Sequence, residues 1–534
     1  MLTMLGLIAA VWALLPNNAR LGFRLRLTWV DWCVISGVLL TIHAFYFEPV
    51  LRDVGVFPVL GPWKWGFDKS TTQYLLFLLL AVFVPIRALT TRRLTRRRLS
   101  IFNRLSTSLL HECRFDELAV LLDRHLVPAI DVAMSEGVRN RVAQFIQPPR
   151  PAFQVLMRDD GTLTLGNVGE LGWIARAWFW ARETLADLIG PSESLRNRAR
   201  IIVKRLLTSR QLVAYLATAR PYLCLQVMER ATLLVEEFQD EFFDALLGNE
   251  GSIFYIELKD NQNFVGGQGH RLYIPDENRL LNFYLKDVEL AGKLGVYRSV
   301  GEAVLAHIDG DEALLKKLNG PQLQYRETTK HRCPVYAGIW FFRVMVLEGL
   351  HQRSNDHLWL HYMPHFATRL VERAREVDEL DGDDEFPTPL SYLLYQLVAT
   401  TAEWIDDAEH LTGEEKNVVT PDQTDGNHVY ISFQAAEALG RVMQPILLSD
   451  RVTSRVQEQL LTSALHMLRR LEQQDHLSAL AASVRTHLIY PYGPGHCEEY
   501  LPLLKACFQA QDHVLRADLP TFRLELDEAL EGAQ

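Results

Sequence analysis

YLLFLLLAVFVPIRALTTRRLTRRRL, residues Tyr74–Leu99, sets the expectation for the whole chain. An apolar run, roughly Thr72–Ile86, passes straight into six arginines: Arg87, Arg92, Arg93, Arg96, Arg97 and Arg98. Hydrocarbon accommodates an apolar helix, whereas arginines are retained on the cytoplasmic side and attracted to anionic headgroups. The segment therefore predicts a membrane crossing whose cytoplasmic edge is marked, with the 435 residues after Leu99 in the cytoplasm.

Two further apolar runs precede it. Met4–Leu15 is short, ends at Pro16, and lacks the basic start and small-residue cleavage site of a signal peptide. LTWVDWCVISGVLLTIHAFYF, residues 27–47, has the length to cross. With Arg20, Arg24 and Arg26 before it and the arginine cluster after the third run, both basic sets lie inside only if 27–86 forms a hairpin through an outer loop at Glu48–Ser70. Trp63 and Trp65 in that loop suit an interfacial belt. Asp31 and His43 fall near the ends of the second run, where an ionisable group reaches the interface or a partner.

Charge divides the chain. Residues 1–100 carry 12 Lys/Arg against 4 Asp/Glu, a net +8, and the remainder carries −18 within the total of −10. A net-acidic body lacks the cationic footprint of a general nucleic-acid binder. The basic cluster sits by the bilayer, so anionic lipid is its expected partner. Six scattered cysteines form no CxxC pair, and the five beyond the arginines are expected to be thiols rather than disulfides.

From Ile101 onward, apolar residues recur at spacings of three and four, as in SLLHECRFDELAVLLDRHLVPAI and VQEQLLTSALHMLRRLEQQ. No helical-repeat period persists. FQVLMRDDGTLTLG alternates about Asp160–Gly161 and predicts a β-hairpin; SIFYIELKDNQNFVGGQGHRLYIP offers two further β-like runs. The expected fold is mainly α: an N-terminal membrane hairpin of two spans, with a third if the first run inserts, then an α-rich cytosolic region with small β-hairpin insertions. The domains expected are 1–90 (membrane), 91–150 (basic connector and first helices), 151–385 (helical with β-hairpins) and 386–534 (C-terminal helical). The acidic DELDGDDEFPTP before the last boundary reads as an exposed linker.

Motifs with chemistry are few. VGGQGH, with Gly266, Gly267 and Gly269, is not followed by GK[ST] and reads as a turn. His357, His361 and His365 are spaced to share a helix face, with His357 and His361 the nearest approach to a metal pair. Pro364 interrupts that spacing and would restart the helix. In FYIELKD, a strand ending in Glu257-x-Lys259 resembles restriction-like nucleases, in which the carboxylate holds a divalent cation and the lysine assists water. That resemblance covers the tripeptide alone. The preceding Asp the family needs is missing, because Asp240 and Asp244 lie on a helix-like stretch, and an ordinary surface pair has the same spacing. No motif calls for a cofactor.

By order of parts across residues 1–100 and the body behind them, the chain resembles transmembrane effectors of bacterial anti-phage systems, including retron-associated ones. The resemblance implies an inner-membrane, self-associating effector of abortive infection. Its working helices would lie around Trp29–Phe47 and Gln73–Ile86, its gate near Arg87–Arg98, and its body would meet a protein or nucleoprotein regulator. A membrane-tethered nuclease using Glu257 and Lys259, or an inner-membrane assembly factor, stands as the alternative.

Overall fold

A computed structural model describes residues 25, 29–55, 68–89, 95–135, 154–157, 163–166, 177–178, 181–182, 193–230, 236–260, 274–321, 330–352, 354, 358–375, 385–410, 431–493 and 498–532. Their structure is mainly α. By internal contacts the chain divides into two units, Met1–Leu206 and Leu207–Gln534.

The first unit holds α1 (Trp29–Tyr46), α2 (Glu48–Asp53), α3 (Lys69–Leu89), α4 (Arg96–His111), α5 (Phe115–Met134) and α6, which runs over Glu193–Leu207. Helix α1 packs on α3, and α4 packs on α5. The α4–α5 turn closes with the Arg114 amide on the Leu109 carbonyl at 3.0 Å and that of Cys113 on Leu110 at 3.2 Å. Cys113 there takes φ +54°, a left-handed position that glycine usually fills. Helix α6 is tied back through Arg205, which donates to Asn103 Oδ1 at 2.7 Å, and Arg196, which donates to the Ser135 carbonyl at 3.3 Å.

Strands β1 (Gln154–Met157) and β2 (Leu163–Gly166) pair antiparallel, Gln154 opposite Gly166 and Met157 opposite Leu163. They are the only sheet among the described residues. The second predicted β region is corrected, since FYIELKD lies within a helix, Ile253–Asp260. The VGGQGH turn lies outside the described residues.

The second unit continues with α7 (Arg210–Ala219), α8 (Pro221–Arg230), α9 (Glu236–Leu247), α10 (Ile253–Asp260), α11 (Arg279–Leu285), α12 (Val288–Leu294), α13 (Val296–Gly310) and α14 (Glu312–Leu318). After them come α15 (Pro334–His351), α16 (Tyr362–Arg373), α17 (Pro389–Asp406), α18 (Ile431–Leu448), α19 (Ser454–Glu472) and α20 (Ser478–Ile489). The last three are α21 (Tyr500–Gln509), α22 (His513–Asp518) and α23 (Pro520–Gly532). Contacts recur between helices two apart, α7 with α9, α15 with α17, α17 with α19 and α18 with α20. Stacked helical hairpins pack in this manner.

Helix α15, PVYAGIWFFRVMVLEGLH, is apolar on nearly every side and is correspondingly buried on nearly every side. Its Phe341 ring meets those of Phe254 at 5.3 Å, Phe243 at 6.1 Å and Trp359 at 6.2 Å, an aromatic centre drawn from four segments. Of the stretch expected to be a linker before 389, Glu385 is exposed and the chain is packed from Phe386 on. Phe386 is buried against Tyr395, and Thr388 caps α17 by accepting from the Ser391 amide at 3.1 Å. Among the described cysteines beyond the arginines, Cys224, Cys333 and Cys507 are buried thiols, while Cys113 is exposed.

Helices α18 and α20 approach so closely that a methyl group at Gly440 would overlap the His487 carbonyl. Backbone cannot swing aside as a side chain can. Gly440→Ala is therefore expected to lower stability by about 2–3 kcal/mol in chemical denaturation. Gly310→Ala, where no atom lies within 4 Å of the new carbon, should be neutral or mildly stabilising.

Candidate functional site

Helices α1, α2 and α3 bury two acids while exposing much of their apolar surface. Asp31 is 1 % exposed and Glu48 is 6 % exposed. On the same helices Val30, Leu40, Val50, Tyr74, Leu79 and Ile86 are each more than half exposed. Fifteen of the 26 large apolar side chains that stand exposed among the described residues lie between Val30 and Ile86. Single exposed leucines are unremarkable in a water-soluble surface, but a contiguous field of them marks a contact face. His43, half-buried, places Nδ1 2.8 Å from the Leu39 carbonyl.

Among the described residues no helix is long and apolar enough to cross a membrane. The reason is visible in the two candidates. Helix α1 has 18 residues, a rise of about 27 Å, and carries Asp31 in its first turn. Helix α3 has 21, but its first turns are polar, KSTTQ, and its apolar stretch ends at Arg87, leaving roughly 20 Å of hydrocarbon-compatible length against the ~30 Å of a typical core.

The arginines separate. Arg98 is buried, 8 % exposed, at the start of α4, which corrects its expected place at the headgroups; Arg97 beside it is exposed. Arg96 opens α4 and Arg87 lies in the last turn of α3, so the cluster is split between two helices. Arg92, Arg93, Trp63 and Trp65 lie outside the described residues.

The nuclease pair is corrected. On α10, Glu257 and Lys259 are two residues apart and so point roughly 200° away from each other. Lys259 is exposed, whereas Glu257 is buried and accepts from the amides of Leu280 at 3.2 Å and Leu281 at 2.9 Å. The carboxylate thus caps the first turn of α11, satisfying donors that an isolated short helix leaves open. It is spent on structure and does not stand beside the lysine.

His361 ends a 3₁₀ turn over Leu358–His361 and His365 lies in α16; both are exposed, and His357 lies outside the described residues. Pro364 sits in the first turn of α16, where a missing amide costs nothing, so the helix restarts just before it. No group of three or more His, Cys, Asp or Glu side chains converges to hold a metal among the described residues.

One charged cluster carries no sequence motif. Arg343 of α15 pairs through both Nε and Nη2 with Glu403 of α17, and its guanidinium lies 4.3 Å from the centre of the Trp340 ring. Trp404 donates to the Arg343 carbonyl at 3.3 Å, and Arg470 of α19 holds both oxygens of Asp406 at 3.2 and 2.8 Å. Next to these, Asp407 is buried at the C-terminal end of α17. Burial first, then the Glu403 and Asp406 charges, push its carboxyl up to about 8 against a partial offset from Arg343. The negative end of the helix adds no help to an anion there. Such a cluster forms only when three helices separated by 60 or more residues meet, so nothing local in the sequence announces it.

Comparison with protein-family models, curated proteins and solved structures returns no match.

Two outcomes test these assignments. Glu257→Ala should destabilise the fold by about 2–3 kcal/mol in urea titration, because two buried amides lose a charged acceptor, while Lys259→Ala stays within about 0.5 kcal/mol of the parent. Folded Asp407 keeps its proton over a range in which the unfolded chain has released it, from about pH 4 to about 8. Its contribution to stability therefore falls as pH rises through that window, by up to about 1.4 kcal/mol per unit. Asp407→Asn should abolish that slope, read as the difference between parent and variant denaturation midpoints across pH 5–8.

Proposed function

We propose that the chain is a membrane-anchored effector or scaffold, in which α1–α3 engage the inner membrane and the helical body meets a partner in the cytosol. One observation carries this: buried acids and exposed apolar side chains on the same helices. In water that arrangement is costly, whereas in lipid the ionisable groups belong inside and the apolar ones outside. Moving fifteen half-exposed apolar side chains into hydrocarbon is worth on the order of 10 kcal/mol. The exposed Arg97 would add roughly 1 kcal/mol against an anionic surface. Two short helices cannot enclose a path alone, so an action on membrane integrity requires self-association. The order of parts, membrane-facing helices ahead of a large helical body, makes anti-phage abortive infection the biological setting we propose.

The test is flotation of the full chain with phosphatidylglycerol-containing vesicles. The triple variant Leu78→Gln, Leu79→Gln, Val82→Gln, whose sites are each at least half exposed, is expected to lose binding at least about tenfold without loss of helicity. Dye release from the vesicles should fall in parallel. Equal flotation of parent and variant, or a parent that stays with the aqueous fraction, would remove the membrane assignment.

A further inference from the structure

The three C-terminal helices surround a cleft of about 550 Å³, within the size range of small-molecule sites. Lys505 of α21, His513 and Arg516 of α22, and Arg523 of α23 line it, with Asp527 the one carboxylate among the lining residues. Asp527 is already engaged, 2.9 Å from Lys505. Two nearby acids are engaged too, Asp518 with Arg469 at 2.7 Å and Glu525 with Arg485 at 3.1 Å, while Glu528 and Glu531 of α23 are exposed and do not line the cleft. His513 meets Asp512 at 2.8 Å. Arg516 and Arg523 have no carboxylate partner among the described residues, and Arg516 Nε is shielded from solvent without an acceptor.

Two unneutralised guanidiniums facing one cleft are conspicuous in a chain of net charge −10. A guanidinium presents paired donors that match the oxygens of a phosphate. A monocarboxylate would leave positive charge over. A phosphate group, with charge near −2 and three acceptor oxygens, matches both arginines together. An extended nucleic acid would instead meet repulsion from the acidic body outside the cleft. We infer that the cleft between α21, α22 and α23 binds a phosphorylated small molecule, held by Arg516 and Arg523 with Lys505 at its edge. This site is independent of the membrane assignment and stands or falls without it.

Calorimetric titration of the full chain with pyrophosphate and with ADP, acetate serving as the control anion, tests the site. Both phosphates should bind and acetate should not. Arg523→Ala, at an exposed position, should weaken binding about 10- to 100-fold with an unchanged melting curve, and Arg523→Lys should recover part of it. Arg516→Ala should act in the same direction. Absence of heat with both phosphates, or affinities unchanged in Arg523→Ala and Arg516→Ala, would overturn the inference, the latter because binding would then lie at another basic surface.

Discussion

A chain built of many short helices must satisfy the open amides and carbonyls at every helix end, and in this protein side chains from distant segments do so. Glu257 takes the first amides of α11. Gln352 at the end of α15 accepts from the Val288 amide at 3.0 Å, where α12 begins. Gln457 of α19 donates to the Ile446 and Ser449 carbonyls, both at 2.9 Å, at the end of α18. Tyr500 closes α20 through the Leu488 carbonyl at 2.8 Å. Each bond is worth about 1 kcal/mol net, but leaving the buried group open would cost more than the bond returns. Helix ends and helix packing are therefore coupled, since a cap exists only when two elements have already docked.

That coupling explains which features the sequence makes legible. Periodicity is local, so the helical segments beyond Ile101 can be read from apolar spacing alone. FYIELKD misleads because Phe254, Ile256 and Leu258 alternate with Tyr255 and Glu257, a pattern equally compatible with a strand of this length. The choice is made by docking: Phe254 enters the aromatic centre against Phe341, and Tyr255 donates to the Leu247 carbonyl at 2.6 Å. Glu257 is unreadable for the same reason, because its partners lie more than twenty residues away in a segment that gives no acidic-site signal. The Arg343, Glu403 and Asp406 cluster and the arginines of the C-terminal cleft share that invisibility, each being assembled from separate helices.

The described residues 29–55 and 68–89 are the exception, since hydropathy there is a local property and their exposed apolar side chains follow it. What cannot be anticipated is the division of the arginines. Six cationic residues in twelve positions suggest one headgroup-facing collar, yet Arg98 turns inward with Leu99 at the base of α4 while Arg97 stays in solvent. A helix imposes this: side chains 100° apart cannot all face one plane, so an amphipathic α4 must send some of its first turn into the unit it packs against.

Acids packed in the second unit show how context sets the charge of one residue type. Glu257 is compensated by two amides and Glu403 by the fork of Arg343. Asp407 lies beside Glu403 and Asp406, whose charges are already matched to Arg343 and Arg470. A third carboxylate among two satisfied pairs gains little attraction and suffers both repulsions, so retaining the proton is the lower-energy solution. Burial and the two neighbouring charges thus hold the Asp407 carboxyl up to about 8, so the stability contributed at the end of α17 is expected to decline as pH rises toward that value.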